Sequence, residues 1–171
     1  MRQIDLRLGN ICLQPDCNAI VNAANAALMP GGGVAGAIHQ AAGPELADAC
    51  FPLAPIKPGQ AVITPAFRLP NRWVIHCLGP RYGIDEPAAE LLRDCYRNAL
   101  DLVVEHGLES VAFPAISTGI FSYPLAAAAE QAVRAVCEHQ SSQDKSIHVR
   151  FVLFDQTSLQ VFQRAYRQHS E

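Results

Sequence analysis

The sequence predicts an α/β fold in which helices cover both faces of a sheet, and three observations predict it. Short β-branched and apolar runs alternate with longer stretches of helical periodicity. Half of the 171 residues are apolar and 17% are charged, enough apolar surface to fill one core. Two loops of small residues fall after strand-like runs and ahead of helical ones, where α/β proteins place their ligand sites.

In chain order, residues 4–8 and 19–21 read as the first two strands, and a helix opens near Val34 behind three consecutive glycines. Residues 61–64 and 72–77 read as the third and fourth strands. The clearest helix spans 86–106, because Leu91, Leu92, Cys95, Ala99, Leu102 and Val103 recur at helical spacing. Asp85 is its expected N-cap and Gly107 its terminator. Residues 110–113 form the fifth strand, and a helix over 124–139 follows, entered at Ser122 or Tyr123. Residues 141–145 are polar and form a surface loop. Residues 148–154 are the sixth strand. The last helix follows Phe154, where Thr157 and Gln160 have capping-box spacing ahead of Leu159, Phe162 and Tyr166. No repeat or low-complexity linker interrupts this order, so residues 1–171 are expected to form a single domain.

The net charge of −3 argues against broad adhesion to nucleic acid or anionic lipid, so a bound anion must be held by local geometry. Six cysteines (Cys12, Cys17, Cys50, Cys77, Cys95 and Cys137) include no CxxC pair and read as free thiols in a reducing compartment. The first residues interleave charged and apolar side chains, and no apolar run is long enough for a signal peptide or a membrane span. A cytoplasmic protein without a membrane partner is expected. No metal cluster is evident either, since His76 and Cys77 are neighbours on a strand and point to opposite faces.

The first loop runs from Asn22 through Gly31, Gly32, Gly33 and Val34 to His39. A triple glycine ahead of a helix lets backbone amides approach a phosphate or sugar, although such a tract also serves as a plain turn. Gly31, Gly33 and Gly36 match GxGxxG, but residues 23–30 separate them from the strand and no acid ends a following strand about 20 residues on. The dinucleotide reading is therefore weak. Asn22 and Asn25 can tie down the loop or address sugar hydroxyls. Asn22 suits the first role and Asn25, nearer the glycines, suits the second. His39 is the only titratable side chain in either loop, open both to a core role and to a catalytic one. The second loop places Ser117, Thr118 and Gly119, with Ile120 and Phe121, after the fifth strand, where their amides could cradle a diphosphate or only make a turn.

Taken together, Gly9-Asn10-Ile11, the run from Asn18 to Asn25, the triple glycine with Val34, Ala41-Ala42-Gly43-Pro44, His76-Cys77-Leu78-Gly79-Pro80 and the run from Phe113 to Phe121 resemble the macrodomain family over nearly the whole chain. His39 with the following Ala41-Ala42-Gly43-Pro44, and Ile116-Ser117-Thr118-Gly119, resemble its MacroD-like branch. That resemblance implies a three-layer α/β/α sandwich on a mixed, roughly six-stranded sheet. It further implies binding of ADP-ribose and hydrolysis of its esters, on acidic side chains of proteins or in O-acetyl-ADP-ribose, without a cofactor. A module that binds ADP-ribose without turnover is the alternative. By the same resemblance, adenine belongs beside Asn10 and Ile11 with Phe154 on its face. The diphosphate lies between the glycines and residues 117–120, and the distal ribose contacts Asn25, Gly32 and Gly33 under Phe121. Two positions depart from the family pattern. Asn10 stands where an Asp usually accepts from the adenine amino group, and an amide oxygen can still accept there without charge. Ala35 stands where MacroD-like enzymes carry a catalytic Asp, which leaves Asn25 and His39 as the catalytic candidates.

Overall fold

The computed structural model describes residues 3–170. Six strands form one sheet: β1 (Gln3–Leu8), β2 (Ala19–Ala23), β3 (Ala61–Pro65), β4 (Trp73–Cys77), β5 (Ser110–Phe113) and β6 (His148–Leu153). Their spatial order is β1-β6-β5-β2-β4-β3. All pairings are parallel except β3 with β4, so the sheet is mixed and its antiparallel strand lies at one edge.

Period-two alternation divides the core between the two faces. Ala19, Val21, Ile75, Val111 and Phe113 point to one side and pack beneath α3 (Ala88–Glu105), α4 (Leu125–Ser141) and α5 (Gln156–Ser170). Ile20, Val74, Ala112 and Val152 point to the other, where α1 (Gly33–Ala42) and α2 (Glu45–Cys50) cover them. The result is the three-layer α/β/α architecture that the sequence predicts, built on six strands.

Some boundaries differ, each for a local reason. β2 continues through Asn22, which pairs in register with His76 of β4 and whose Nδ2 lies 3.0 Å from His76 Nδ1, while its buried Oδ1 has no partner among the described residues. Helix α3 begins at Ala88 rather than at residue 86. A residue that precedes proline is held out of the helical region, and Pro87 so excludes Glu86. Asp85 caps nothing; its carboxylate accepts instead from the Arg81 N–H at 2.8 Å and from the Arg81 guanidinium at 3.0 and 3.1 Å. At the start of α5 the cap is Asp155, which accepts the Ser158 N–H at 2.8 Å, and not Thr157. Helix α2 is an addition to the expected elements.

All six cysteines are buried, and none forms a disulfide. No helix among the described residues is long and apolar enough to cross a membrane.

Candidate ligand cleft at the carboxyl ends of the strands

Three segments meet above the carboxyl ends of β6, β5, β2 and β4, the four central strands, and enclose a cleft of about 700 Å³. That size suits a nucleotide-like small molecule. The first segment is the turn after β1. Asn10 accepts the Cys12 N–H on its side-chain Oδ1 at 2.9 Å, and its carbonyl accepts the Leu13 N–H and the Gln14 amide. Gln14 is held in turn by Arg150 of β6, whose buried guanidinium also binds Asp5 at 3.0 Å and Asp16 at 2.7 and 2.8 Å. Arg150 therefore fixes the turn that carries Asn10 and Ile11 into the cleft wall. It also holds the Asp16 carboxyl well below the usual carboxylate range.

The second segment is the glycine loop and the start of α1. Gly32 occupies the N-cap position and offers no side chain to the helix amides, and no acidic residue stands in the first turn. The N–H groups of Gly33, Val34 and Ala35 precede the first intrahelical bond, from Gly36 N–H to Gly32. Gly31, Gly32, Gly33, Val34 and Ala35 all line the cleft, so an uncapped helix end with its partial positive charge faces it. The triple glycine is more than a flexible turn, since Gly33 adopts φ +56°, where a side chain would be strained.

The third segment follows β5. Tyr96 of α3 is fully buried, and its hydroxyl accepts the Ile116 N–H at 3.3 Å while donating to the Pro114 carbonyl at 3.4 Å. The turn closes where the Tyr123 N–H donates to Ser117 at 2.9 Å. Among the described residues, the N–H groups of Ser117, Gly119, Ile120 and Phe121 donate to no other group of the chain. Four amides in so short a turn form a concave anion seat. The Ser117 side chain is buried against Gly79, where a Cβ would stand 2.0 Å from Ser117 Oγ. What Ser117 presents to the cleft is thus backbone.

Of the residues singled out in the sequence, Asn10, Ile11, Asn25, Gly31, Gly32, Gly33, Val34, Ser117, Thr118, Gly119, Ile120, Phe121 and Phe154 all line this cleft. Phe154 stands at its mouth, 85% exposed, beside Ile11 and Val152. Asn25 lies on the glycine-loop side; its carboxamide accepts the Met29 N–H at 3.0 Å and donates to the Met29 carbonyl at 2.9 Å.

Asn22 and His39 do not belong to the wall. Both are buried beneath α1 and α2, on the sheet face away from α3. Asn22 Nδ2 donates to His76 Nδ1 at 3.0 Å, which leaves the proton of the neutral ring on Nε2, 2.9 Å from Thr64 Oγ1. Thr64 passes the chain of donors on to the Pro65 carbonyl. Burial, reinforced by nearby His39, pushes the His76 ring down to about 3, and burial lowers His39 as well. Asn22, His76 and Thr64 form one buried hydrogen-bonded chain outside the cleft wall, and His39, both of whose ring nitrogens are buried without a partner among the described residues, does not line the cleft.

Gly79 after β4, within the His76-to-Pro80 motif, also lines the cleft, and further lining residues carry no sequence signal of their own: Val152 and Leu153 at the end of β6, and Ser158 in the first turn of α5. Among the described residues, no lining residue is an Asp, Glu, His, Lys or Arg. Charge can be stabilised here only by oriented dipoles, and a proton can be exchanged only with water or with the ligand. Among the described residues no group of three or more His, Cys, Asp or Glu could hold a metal ion.

Comparison with known proteins agrees with this geometry. A family model described as Macro domain matches residues 21–132. A Citrobacter rodentium protein named O-acetyl-ADP-ribose deacetylase is 47% identical over 159 residues, covering 90% of each chain. An Enterobacter cloacae protein of the same name is 45% identical, covering 99% of this chain and 96% of its own. Among solved structures, the Oceanobacillus iheyensis macrodomain with ADP superposes with a TM-score of 0.93 at 38% identity, covering 98% of this chain and 91% of that one. The Trypanosoma brucei macrodomain in complex with ADP-ribose gives 0.88 at 33% identity, covering 95% and 68%. With its sheet order, its uncapped glycine loop and relatives matched along almost its whole length, the chain belongs to the macrodomain family.

Proposed function

We propose that the chain binds ADP-ribose in this cleft and hydrolyses ADP-ribose esters: O-acetyl-ADP-ribose, and ADP-ribose carried on acidic side chains of proteins. One observation carries the reading. Two sets of unpaired backbone amides, at the start of α1 and in the turn from Ser117 to Phe121, belong to residues that line one cleft, and no charged side chain among the described residues lines it. A diphosphate is the ligand group that such a pair of seats complements. Relatives named O-acetyl-ADP-ribose deacetylase at 45 to 47% identity supply the reaction.

Roles follow from position along the cleft. Asn10, Ile11 and Phe154 take the base, the two amide seats take the diphosphate, and Asn25, Gly32, Gly33 and Phe121 hold the distal ribose. Without a carboxylate in the wall, the attacking water gives its proton to a phosphate oxygen of the ligand as it adds to the ester carbonyl. The ribose oxygen then leaves with a proton as a hydroxyl, and acetate or the side-chain carboxylate departs. Preorganised dipoles and positioning carry such a step. Six buried thiols, none in a disulfide, fit a reducing cytoplasm as its location.

The absence of a titratable group in the wall also favours a second reading, a module that binds ADP-ribose without turnover. Incubation with O-acetyl-ADP-ribose, with acetate release measured against a no-protein control, separates the two. Release above control is expected. Tight binding with no release would leave only the second reading.

A further inference from the structure

The turn that supplies the second amide seat is strained and draws support from outside the cleft. Ser117 adopts φ +69° and Ser122 φ +64°, left-handed values that a residue with a side chain holds only where its surroundings impose them. Within the turn the Ser122 N–H donates to the Gly119 carbonyl at 3.0 Å. From outside, the Tyr82 N–H donates to the Phe121 carbonyl at 2.8 Å, and the Tyr82 ring meets the Tyr123 ring edge-on with 4.9 Å between centroids. The peptide unit joining Phe121 to Ser122 is thus held at both poles. Its N–H fixes the Gly119 carbonyl. Because a trans peptide is planar with its two polar groups opposed, the direction of the Ile120 N–H, one of the four seat donors, is fixed with it. Tyr82 itself does not line the cleft. It sits in a turn of its own, in which the Ile84 N–H donates to the Arg81 carbonyl at 3.1 Å and Gly83 takes φ +82°. The Asp85 carboxylate clamps that turn by accepting from the Arg81 N–H and guanidinium.

From this linkage we infer that Tyr82 is a positioning residue for the anion seat: acting through Phe121 and Tyr123, it keeps the amides from Ser117 to Phe121 aligned on the ligand's phosphates without touching the ligand. This deepens the proposed function and rests on it, because the occupant of the seat is the same diphosphate. The two contacts of Tyr82 can be removed in steps. Tyr82→Phe keeps both, and Tyr82→Ala removes the ring while keeping the N–H. Tyr82→Pro removes both, yet it suits the turn from Arg81 to Ile84, since proline is favoured at the second position where glycine holds the third. The proline ring would stand where the N–H now points and push the Phe121 carbonyl away.

Calorimetric titration of the intact protein and the three variants with ADP-ribose, beside NMR spectra of their backbone amides, tests this. Tyr82→Phe should bind as the unmodified protein does, and Tyr82→Ala about threefold more weakly, the worth of an aromatic pair. Tyr82→Pro should bind about tenfold or more weakly, the worth of one amide aimed at a charged group. In unliganded Tyr82→Pro the amide resonances of residues 117–121 should shift while those of Gly33, Val34 and Ala35 stay in place, a pattern that general destabilisation does not produce. Undiminished affinity in Tyr82→Pro, or shifts spread equally over both seats, would overturn the inference while leaving the proposed function standing. If Tyr82→Pro does not fold, Tyr82→Ala decides, and undiminished affinity in that variant would overturn the inference. Failure of the unmodified protein to bind ADP-ribose would instead overturn the proposed function, and the inference with it.

Discussion

Asn25 uses both polar atoms of its side chain on the Met29 backbone, yet a carboxamide has a second N–H and a second lone pair to offer a ribose hydroxyl. It can therefore shape the loop and orient the sugar at once. Asn25→Ala should lower the rate of ester hydrolysis at least about tenfold, since a misplaced reacting group costs up to about 10²-fold, while affinity for the product falls much less. Steady-state rates beside a binding titration check this; an unchanged rate would remove Asn25 from the reaction. Gly79 makes the second residue-scale prediction. Its Cα lies so close to the Ser117 turn that an added Cβ would stand 2.0 Å from Ser117 Oγ and 2.6 Å from Ile116 Cγ2. Gly79→Ala should cost about 1 to 3 kcal/mol in a denaturant titration and weaken diphosphate binding, because the turn must shift to make room. Full stability with full affinity would mean that this turn is free to move.

At the scale of elements, α3 holds the second amide seat through one buried hydroxyl. Tyr96→Phe keeps the ring among Phe113 and Phe151 but leaves the Ile116 N–H and the Pro114 carbonyl without their partner. A loss of about 1 to 2 kcal/mol is expected in denaturant unfolding, with weaker ADP-ribose binding; no change in either would show that the hydroxyl does not support the loop. The elements also show what the sequence can reveal. Strand positions and the long helices are legible because burial imposes a period of two or of 3.6 along their whole length. Their ends are set by single contacts that periodicity does not carry: the pairing of Asn22 with His76, the pyrrolidine ring of Pro87, and the Asp155 cap. Helix α2, six residues with only Leu46 and Cys50 buried, is too short to show a period. Both amide loops are visible as runs of small residues. Val152 and Ser158 are not, because a sheet order of β6-β5-β2-β4 brings together residues far apart in sequence. The withdrawal of His39 beneath α1 and the Cys12 bond that turns the Asn10 carboxamide are likewise facts of packing.

For the molecule as a whole, the buried histidines His39 and His76 lie on the sheet face that α1 and α2 cover, and no described lining residue of the cleft is an Asp, Glu, His, Lys or Arg, so pH should act on stability before it acts on binding. The His76 ring is held near 3 when folded and returns to about 6.5 in the unfolded chain. The unfolded state therefore binds more protons across that interval, and stability is fully present above pH 6.5 and falls as the pH drops below it. One such group contributes a loss of about 2 kcal/mol between pH 6.5 and 4.5. Melting temperatures should fall by several degrees over that range. A flat profile would mean that His76 is not held neutral. In the proposed function backbone dipoles alone make this cleft a diphosphate ribose site, a reading that calorimetric titration with ADP-ribose checks. It predicts saturable binding at micromolar strength, with little change between pH 6.5 and 8. No measurable heat up to millimolar ligand would contradict it.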